Sequence, residues 1–158
     1  MLEREKENIL LVDDRQANLL VLEGILDGMG YNLFTAISGQ QALRILLKHK
    51  FNLVLLDVQM PGMNGFEVAE LIRGRKESQD ITIIFITALS KDPEYIKRGY
   101  EVGAENYLFK PIDPEELKAK VRASLRYYRY KKQMALHEMR SIGMQERKAE
   151  NQKRRDQS

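Results

Sequence analysis

The sequence predicts a doubly wound α/β fold, in which helices cover both faces of a parallel β-sheet. Five short apolar runs alternate with longer segments whose apolar residues recur at helical spacing. The runs are nearly continuous in Val, Ile, Leu and Phe, which is typical of parallel strands that are buried on both faces. Right-handed crossovers between such strands give a domain of roughly 120 residues.

The first half of this domain contains two strand–helix units. Strands are predicted over 8–12 (NILLV) and 32–36 (NLFTA), and each is followed by a helical pattern. Ser38 with Gln41 three residues later forms a capping box, and Gly30 stands where a left-handed helix cap is expected. The periodic apolar residues are Leu19, Leu22, Ile25, Leu26 and Met29 in the first helix and Ala42, Leu43, Ile45, Leu46 and Leu47 in the second.

The second half contains three more apolar runs with comparable punctuation. Asp92 before Pro93, and Asp113 before Pro114, are typical pairs of an N-cap residue and a first helical residue. Gly103 again stands where a helix would end. The predicted strands are 52–57 (NLVLLD), 82–87 (TIIFIT) and 106–109 (NYLF).

Charge is distributed unevenly along the 158 residues, which carry a net charge of +3. Residues 1–117 hold 13 Lys and Arg against 19 Asp and Glu, whereas residues 118–158 hold 13 against 4. An acidic body therefore precedes a basic tail, and this excludes the body as a nucleic-acid-binding surface.

The chain contains no cysteine, which excludes disulfides and thiolate metal sites and suits a reducing compartment. Its first residues are charged, and no apolar run approaches the roughly 18 residues of a membrane span. We therefore expect a cytoplasmic protein that does not enter a membrane.

Polar residues that can carry chemistry follow the predicted strands, and in parallel sheets the functional crevice lies beyond these carboxyl ends. They are Asp13 and Asp14 after the first strand, Asp57 at the end of the third, Thr87 at the end of the fourth and Lys110 after the fifth. Three acids in one pocket repel each other unless a cation neutralises them. Mg²⁺ fits this set, whereas zinc does not, because cysteine is absent and His49 and His137 fall outside the strand ends.

Acids, a divalent cation, a hydroxyl and an ammonium group together indicate phosphoryl transfer. A carboxylate can be the nucleophile and form an aspartyl phosphate. In this arrangement Asp57 would attack, Asp13 and Asp14 would hold the metal, and Thr87 and Lys110 would bind the phosphoryl oxygens.

The segments LLVDD, VLLDVQMPGMNG, FITA and LFKPID together resemble the receiver domain of two-component response regulators, over about residues 6–125. The resemblance implies a flavodoxin-like sheet of strand order 2-1-3-4-5. It also implies that Asp57 is the phosphoacceptor, and that a sensor histidine kinase or phosphotransfer protein supplies the phosphoryl group. Asp13 and Asp14 would form the Mg²⁺ pocket, which the main-chain carbonyl of Gln59 completes.

The same resemblance makes Thr87 the switch hydroxyl, Lys110 the phosphate-binding lysine and Tyr107 the switch aromatic. It further implies a cis bond between Lys110 and Pro111. Tyr107 has a simpler alternative, since half-buried aromatic residues on strands usually belong to the core.

A helix of more than 30 residues is predicted from Pro114 onwards, with Gly143 as its one turn signal. Its part beyond the domain, residues 126–158, is a helical extension that lies within the basic tail. Apolar residues recur every seven positions, as in a coiled coil. The tail is either a solvated helix that frays after Gly143, or a signalling helix that pairs with a second copy. The series is Val121, Tyr128, Ala135, Ile142 and Ala149, with Leu125 and Met139 offset by four and Lys118, Lys132 and Glu146 interrupting the offset positions.

The favoured function is a phosphorylation-controlled switch that turns over no external substrate. One alternative is an N-terminal receiver cut from a larger protein whose output domain is an enzyme, such as a histidine kinase, diguanylate cyclase or phosphatase. A second alternative is that this chain is itself a phosphatase with an aspartyl nucleophile. Such enzymes require a second acid two residues after the nucleophile, whereas this chain has Gln59 there. DNA binding by this chain is not expected, because a tail in one helical pattern leaves no room for a helix-turn-helix unit.

Overall fold

The computed structural model describes residues 5–88 and 92–157 and contains a five-stranded parallel sheet of order β2-β1-β3-β4-β5. This confirms the predicted doubly wound architecture and its strand order. The strands are β1 Asn8–Val12, β2 Asn32–Ala36, β3 Leu53–Asp57, β4 Thr82–Thr87 and β5 Asn106–Phe109. The helices are α1 Gln16–Leu26, α2 Gly39–Lys48, α3 Gly65–Arg73, α4 Pro93–Glu101 and α5 Pro114–Asp156.

The central strand is β3, which pairs with β1 on one side and β4 on the other. Its register aligns Leu56 with Val12 and Asp57 with Ile86, so the strands end at a common edge. β3 begins one residue later than predicted. Asn52 is nevertheless joined to β1, because its backbone N–H donates to the Asn8 carbonyl at 2.9 Å and its side-chain oxygen accepts the Asn8 N–H at 2.9 Å.

Alternate residues of the strands enter two apolar clusters, one on each face of the sheet, because side chains alternate in direction along a strand. One cluster joins Leu10, Val54 and Phe85 to residues of α2 and α3, and the other joins Leu11, Leu55 and Ile84 to residues of α1 and α5. Each such side chain contributes about 1.5–3 kcal/mol when it is fully buried. This core fixes the sheet whose edge carries the polar strand-end residues.

Gly103 directly follows the cap residue of α4, as predicted, but at the end of α1 the left-handed glycine after the cap residue is Gly28, and Gly30 lies two residues beyond it. The predicted N-terminal caps form, with one difference in the capping box. Ser38 Oγ accepts the Gln41 N–H at 3.1 Å, but Gln41 Oε1 accepts the N–H of Ile37, at 2.7 Å, instead of that of Ser38. The side chain therefore reaches one residue further back. Asp92 and Asp113 each accept a backbone N–H from the residue two positions later, at 3.0 Å in both cases.

Two compact units divide the chain, residues 1–125 and residues 126–158. α5 contains 43 residues and continues through Gly143 to Asp156, so the described helix shows no break at that glycine. Between residues 126 and 157 no side chain is fully buried, and Tyr130, Met139 and Ile142 are more than half exposed. Within residues 5–88 and 92–157, no helix has the length and apolar character that a membrane span requires.

Two glycines give a matched test of how closely α3 approaches the end of β3. A Cβ added at Gly65 would overlap the carbonyl oxygen of Asp57 and lie 2.8 Å from Val58 Cα, whereas one added at Gly24 in α1 would meet no heavy atom within 4 Å. Gly65→Ala should therefore lower the free energy of unfolding by about 1–3 kcal/mol through overpacking against backbone. Gly24→Ala should raise it by about 0.5–1 kcal/mol through helix propensity. Urea unfolding measures both, and a shift in the same direction for the two variants would contradict the close packing at Gly65.

Candidate functional site

Three carboxylates meet at the carboxyl edge of the sheet. Oxygen atoms of Asp13, Asp14 and Asp57 all lie within 4.8 Å of one another. Asp13 and Asp57 are buried, with 2% and 4% of their surfaces exposed, while Asp14 is exposed. The adjacency of β1 and β3 brings these residues together from positions more than forty residues apart.

The ammonium group of Lys110 reaches both buried carboxylates. Lys110 Nζ lies 3.1 Å from Asp13 Oδ2 and 3.7 Å from Asp57 Oδ2. The Lys110 backbone N–H donates to the carbonyl of Thr87 at 2.9 Å, which ties the end of β5 to the end of β4. The bond between Lys110 and Pro111 is cis, as the resemblance implies. When all three acids are ionised, the cluster and this lysine together carry a formal charge of −2.

Asp13 is further oriented by the segment that opens α1. Its Oδ1 accepts the Arg15 N–H at 2.9 Å, and Asn18 Nδ2 lies 3.2 Å and 3.1 Å from its two oxygens. Sequence reasoning did not identify Asn18. The one available signal is its position in the first helical turns after the Asp13–Asp14 pair, and an amide at such a position more often faces solvent.

Asp57 is held in an environment that disfavours its ionised form. Burial is the main cause, and the neighbouring charge of Asp13 adds to it, so that the pKa of Asp57 rises from 3.8 to about 6. The Lys110 ammonium and the Gln59 N–H, which donates to Asp57 Oδ1 at 3.3 Å, act in the opposite direction. Desolvation exceeds this compensation, so the site holds its nucleophile candidate at an energetic cost.

The donor set fits a hard divalent cation. Carboxylate oxygens are the protein ligands that Mg²⁺ prefers, and the formal charge of −2 left after Lys110 matches one dication. His49 lies among aromatic rings, 5.0 Å from the Phe34 ring centroid, and is the residue that ends α2. The acidic cluster is therefore chemically suited to Mg²⁺.

Thr87 and Tyr107 are connected through a residue that sequence reasoning missed. Thr87 is fully buried, and its Oγ1 lies 3.3 Å from the hydroxyl oxygen of Tyr95. The Tyr107 hydroxyl donates to the backbone carbonyl of Tyr95 at 3.1 Å, and only 3% of Tyr107 is exposed. Burial raises the pKa of Tyr107 to about 12, so this hydroxyl remains a donor at neutral pH.

An open pocket of about 760 Å³ lies over Asp14 and Asp57. Besides the predicted residues it includes Tyr95 and Arg98 of α4, and the Arg98 guanidinium carbon lies 4.9 Å from the centre of the Phe66 ring. No spacing in the sequence marks these two residues, because the contact depends on how α4 packs against α3. The lining residues are Asp14, Arg15, Asn18, Asp57, Val58, Gln59, Met60, Pro61, Asn64, Phe66, Ala88, Tyr95, Arg98 and Lys110.

The raised pKa of Asp57 predicts a stability gain in Asp57→Asn. The folded-state pKa lies above the unfolded value, so this carboxyl stabilises the fold below about pH 4. That stabilisation is lost as the pH rises through about 6. Without divalent metal and near neutral pH, the free energy of unfolding of Asp57→Asn should therefore exceed that of the unsubstituted chain by up to about 3 kcal/mol.

Denaturant unfolding in the presence of a chelator, from acidic to neutral pH, measures this difference. Its size should shrink towards acidic pH, where the carboxyl is protonated in both states. Asp27→Asn, which removes an exposed carboxylate at the end of α1 and outside the pocket, is the control and should change the free energy of unfolding near neutral pH by less than Asp57→Asn does. A gain for Asp57→Asn that does not change with pH would contradict the electrostatic explanation.

Comparison with known proteins agrees with this geometry. The family described as the response regulator receiver domain matches residues 9–122. The chain is 43% identical over 125 residues to ycf27 of Porphyra purpurea, a probable transcriptional regulator, and 41% identical over 123 residues to the transcriptional regulatory protein YvrH of Bacillus subtilis. These matches cover 79% and 77% of this chain and 50% of each relative, so the chain spans about half the length of the curated relatives it matches.

Solved structures show the same likeness. The Vibrio cholerae chemotaxis protein CheY4 has a TM-score of 0.72 at 31% sequence identity, covering 76% of this chain and 99% of that one. A receiver domain protein from Methanospirillum hungatei has a TM-score of 0.75 at 28% identity, covering 80% of this chain and 99% of that one. On these grounds the chain belongs to the response regulator receiver domain family.

Proposed function

We propose that this chain is a signalling switch in which Asp57 accepts one phosphoryl group, in the presence of Mg²⁺, from a sensor histidine kinase or phosphotransfer protein. The observation that carries the proposal is the position of the Asp57 carboxylate. It is buried at the end of the central strand, within 4.8 Å of two other carboxylates and 3.7 Å from Lys110 Nζ, and it opens into a pocket. A proton or a cation relieves such a group, and a cation is needed all the more once the carboxylate becomes an acyl phosphate, because the phosphoryl group brings about −1.5 to −2 charges into the pocket.

In the proposed reaction an Asp57 oxygen forms a bond to phosphorus while the bond from phosphorus to the donor nitrogen breaks, and the electron pair leaves with the imidazole. Asp13, Asp14, Asp57 and the carbonyl of Gln59 would hold Mg²⁺. When bound, the ion supplies positive charge that offsets the phosphoryl oxygens. Lys110 and Thr87 would bind two of these oxygens, Lys110 as a charged donor and Thr87 as a hydroxyl donor.

The position two residues after Asp57 supports a switch over an enzyme that turns over phosphate esters. The Gln59 side chain is a neutral amide that does not titrate near neutral pH, so it cannot serve as a general acid or base. Its backbone N–H donates to Asp57 Oδ1 and thereby only orients the carboxylate. We therefore expect one phosphoryl group per chain and no turnover of an external substrate.

Incubation with acetyl phosphate and Mg²⁺ should add the mass of one phosphoryl group, on Asp57. Intact-mass analysis followed by peptide mapping measures both the number and the position. Asp57→Asn should remain unmodified, because an amide oxygen is a poor nucleophile. Asp14→Asn should need several-fold more Mg²⁺ for the same extent of labelling, since it removes one charge from the cluster.

Asp27→Asn is the matched control for both variants, because this aspartate is exposed at the end of α1. A label that persists in Asp57→Asn, or that maps to Thr87, would overturn the assignment of the phosphoacceptor. An unchanged Mg²⁺ requirement in Asp14→Asn would remove that residue from the proposed metal site.

We further propose that residues 6–125 form the receiver and that residues 126–158 are a helical extension that passes its state on within the cytoplasm. Two matched relatives are transcriptional regulators of about twice the matched length, and solved receivers include those of a histidine kinase and of an HD domain-containing protein. Such an extension can lead to an output domain or pair with a second copy. The seven-residue series of apolar residues, in which Met139 and Ile142 are more than half exposed, favours pairing as a coiled-coil dimer.

Phosphorylation should change how two copies of the extension pair, because α5 belongs both to the receiver core, through Leu117 and Val121, and to the extension. Single cysteines in Tyr128→Cys or Ala135→Cys should crosslink to a different extent with and without beryllofluoride, a mimic of the phosphoryl group. Light scattering reports the mass of the assembly in the same samples.

His137→Cys, an exposed position on the helix face opposite to both series, should crosslink poorly in both states. Adding Asp57→Asn to the cysteine variants should abolish the response to beryllofluoride. Equal mass and equal crosslinking in both states would leave the extension as a solvated helix and would not affect the proposed chemistry at Asp57.

A further inference from the structure

We propose that Tyr95 is a positioning residue of the switch, which holds the Thr87 hydroxyl and the Tyr107 ring in the unphosphorylated arrangement and so resists phosphoryl binding at Asp57. The inference rests on the proposed function and adds a residue to it. Tyr95 would act through Thr87, without bonding to the phosphoryl group itself.

The phenol ring of Tyr95 has a fixed position at the start of α4. The helix begins at Pro93 with the Asp92 side chain accepting the Glu94 N–H, which places Tyr95 in the first turn. Its ring packs edge-on against Phe66, with centroids 5.1 Å apart, and Phe66 packs edge-on against Phe85 of β4 at 5.2 Å. Such aromatic contacts contribute about 0.5–1.5 kcal/mol beyond area burial, so the hydroxyl is aimed by packing on α3 and β4.

Two polar atoms of Tyr95 then contact the two residues that the switch would move. The hydroxyl oxygen lies 3.3 Å from Thr87 Oγ1, and the backbone carbonyl accepts the Tyr107 hydroxyl at 3.1 Å. Tyr95 also lines the pocket over Asp57. One residue therefore links the hydroxyl at the end of β4 to the aromatic residue of β5.

The Tyr107 ring occupies a space that exists only because residue 99 is glycine. A Cβ at Gly99 would overlap the Tyr107 hydroxyl group. The ring also stacks on Phe109, at a centroid distance of 5.9 Å and an interplanar angle of 8°. With its hydroxyl bonded to the Tyr95 carbonyl, Tyr107 is held at a single position in this arrangement.

A phosphoryl group on Asp57 would draw the Thr87 hydroxyl towards one of its oxygens, since a charged acceptor forms a stronger hydrogen bond than a neutral phenol. The bond between Thr87 and Tyr95 would then be lost. A hydrogen bond present in only one of two states biases the equilibrium towards that state. Removing the Tyr95 hydroxyl should therefore favour the phosphoryl-bound state.

The test measures the affinity of the full chain for beryllofluoride in saturating Mg²⁺. Tyr95→Phe keeps the ring contact with Phe66 and removes only the hydroxyl, and it should bind the probe about 2- to 10-fold more tightly, the change expected for one lost hydrogen bond. Tyr100→Phe is the matched control. Tyr100 lies on the same helix, 48% exposed, with its ring centroid 5.5 Å from that of Tyr107, and removing its hydroxyl should leave the affinity unchanged.

A double-mutant cycle separates this role from a general effect on folding. In a Thr87→Val background, Tyr95→Phe should have no further effect on affinity, because the partner hydroxyl is already absent. An unchanged or weaker affinity in Tyr95→Phe, or an equal gain in the Thr87→Val background, would overturn the inference. If the unsubstituted chain failed to bind beryllofluoride at all, the proposed function would fail instead, so the two failures are distinguishable.

Discussion

The site depends on mutual repulsion among three carboxylates that the sheet holds within 4.8 Å of one another. The register of β1 and β3 imposes this arrangement, and the apolar clusters on both faces stabilise the register. The energetic cost of this arrangement falls mainly on Asp57, whose pKa rises to about 6 chiefly because the side chain is buried. A folded core with many fully buried aliphatic side chains can tolerate one such group, because its cost is of the order of a single side-chain burial.

The surrounding structure limits that cost without removing it. Lys110 contacts both buried acids, and Asn18 and the Arg15 N–H bond the oxygens of Asp13. The residual negative charge is what makes the pocket suitable for a dication. Close approach of Gly65 to the Asp57 carbonyl, which leaves no room for a Cβ, keeps the loop from β3 to α3 next to the site. The stability of the fold and the charge of the site thus depend on the same few contacts.

The site is also connected to the part of the fold formed by α4 and β5. Thr87 contacts the hydroxyl of Tyr95, and Tyr107 donates to the carbonyl of the same residue. Aromatic contacts from Phe66 through Tyr95, and from Tyr107 to Phe109, make this region a packed layer in which one displaced ring affects its neighbours. A change in hydrogen bonding at Thr87 can therefore alter the surface of α4 and β5 without unfolding any element.

The strand order was implied by the resemblance to receiver domains. Residue patterns by themselves determined the elements and the edge of the sheet at which the polar residues gather. These features follow from local patterns: apolar runs of strand length, helix caps at Ser38, Asp92 and Asp113, and acids directly after strands. The sequence did not reveal Asn18 or Tyr95, and it placed the start of β3 one residue early and the return bond of Gln41 on the wrong N–H. Each of these depends on distances between segments far apart in the chain or on the exact path of a loop. Only the tertiary structure decided them, because packing fixes side-chain positions to within an ångström, whereas periodicity fixes only which face a residue occupies.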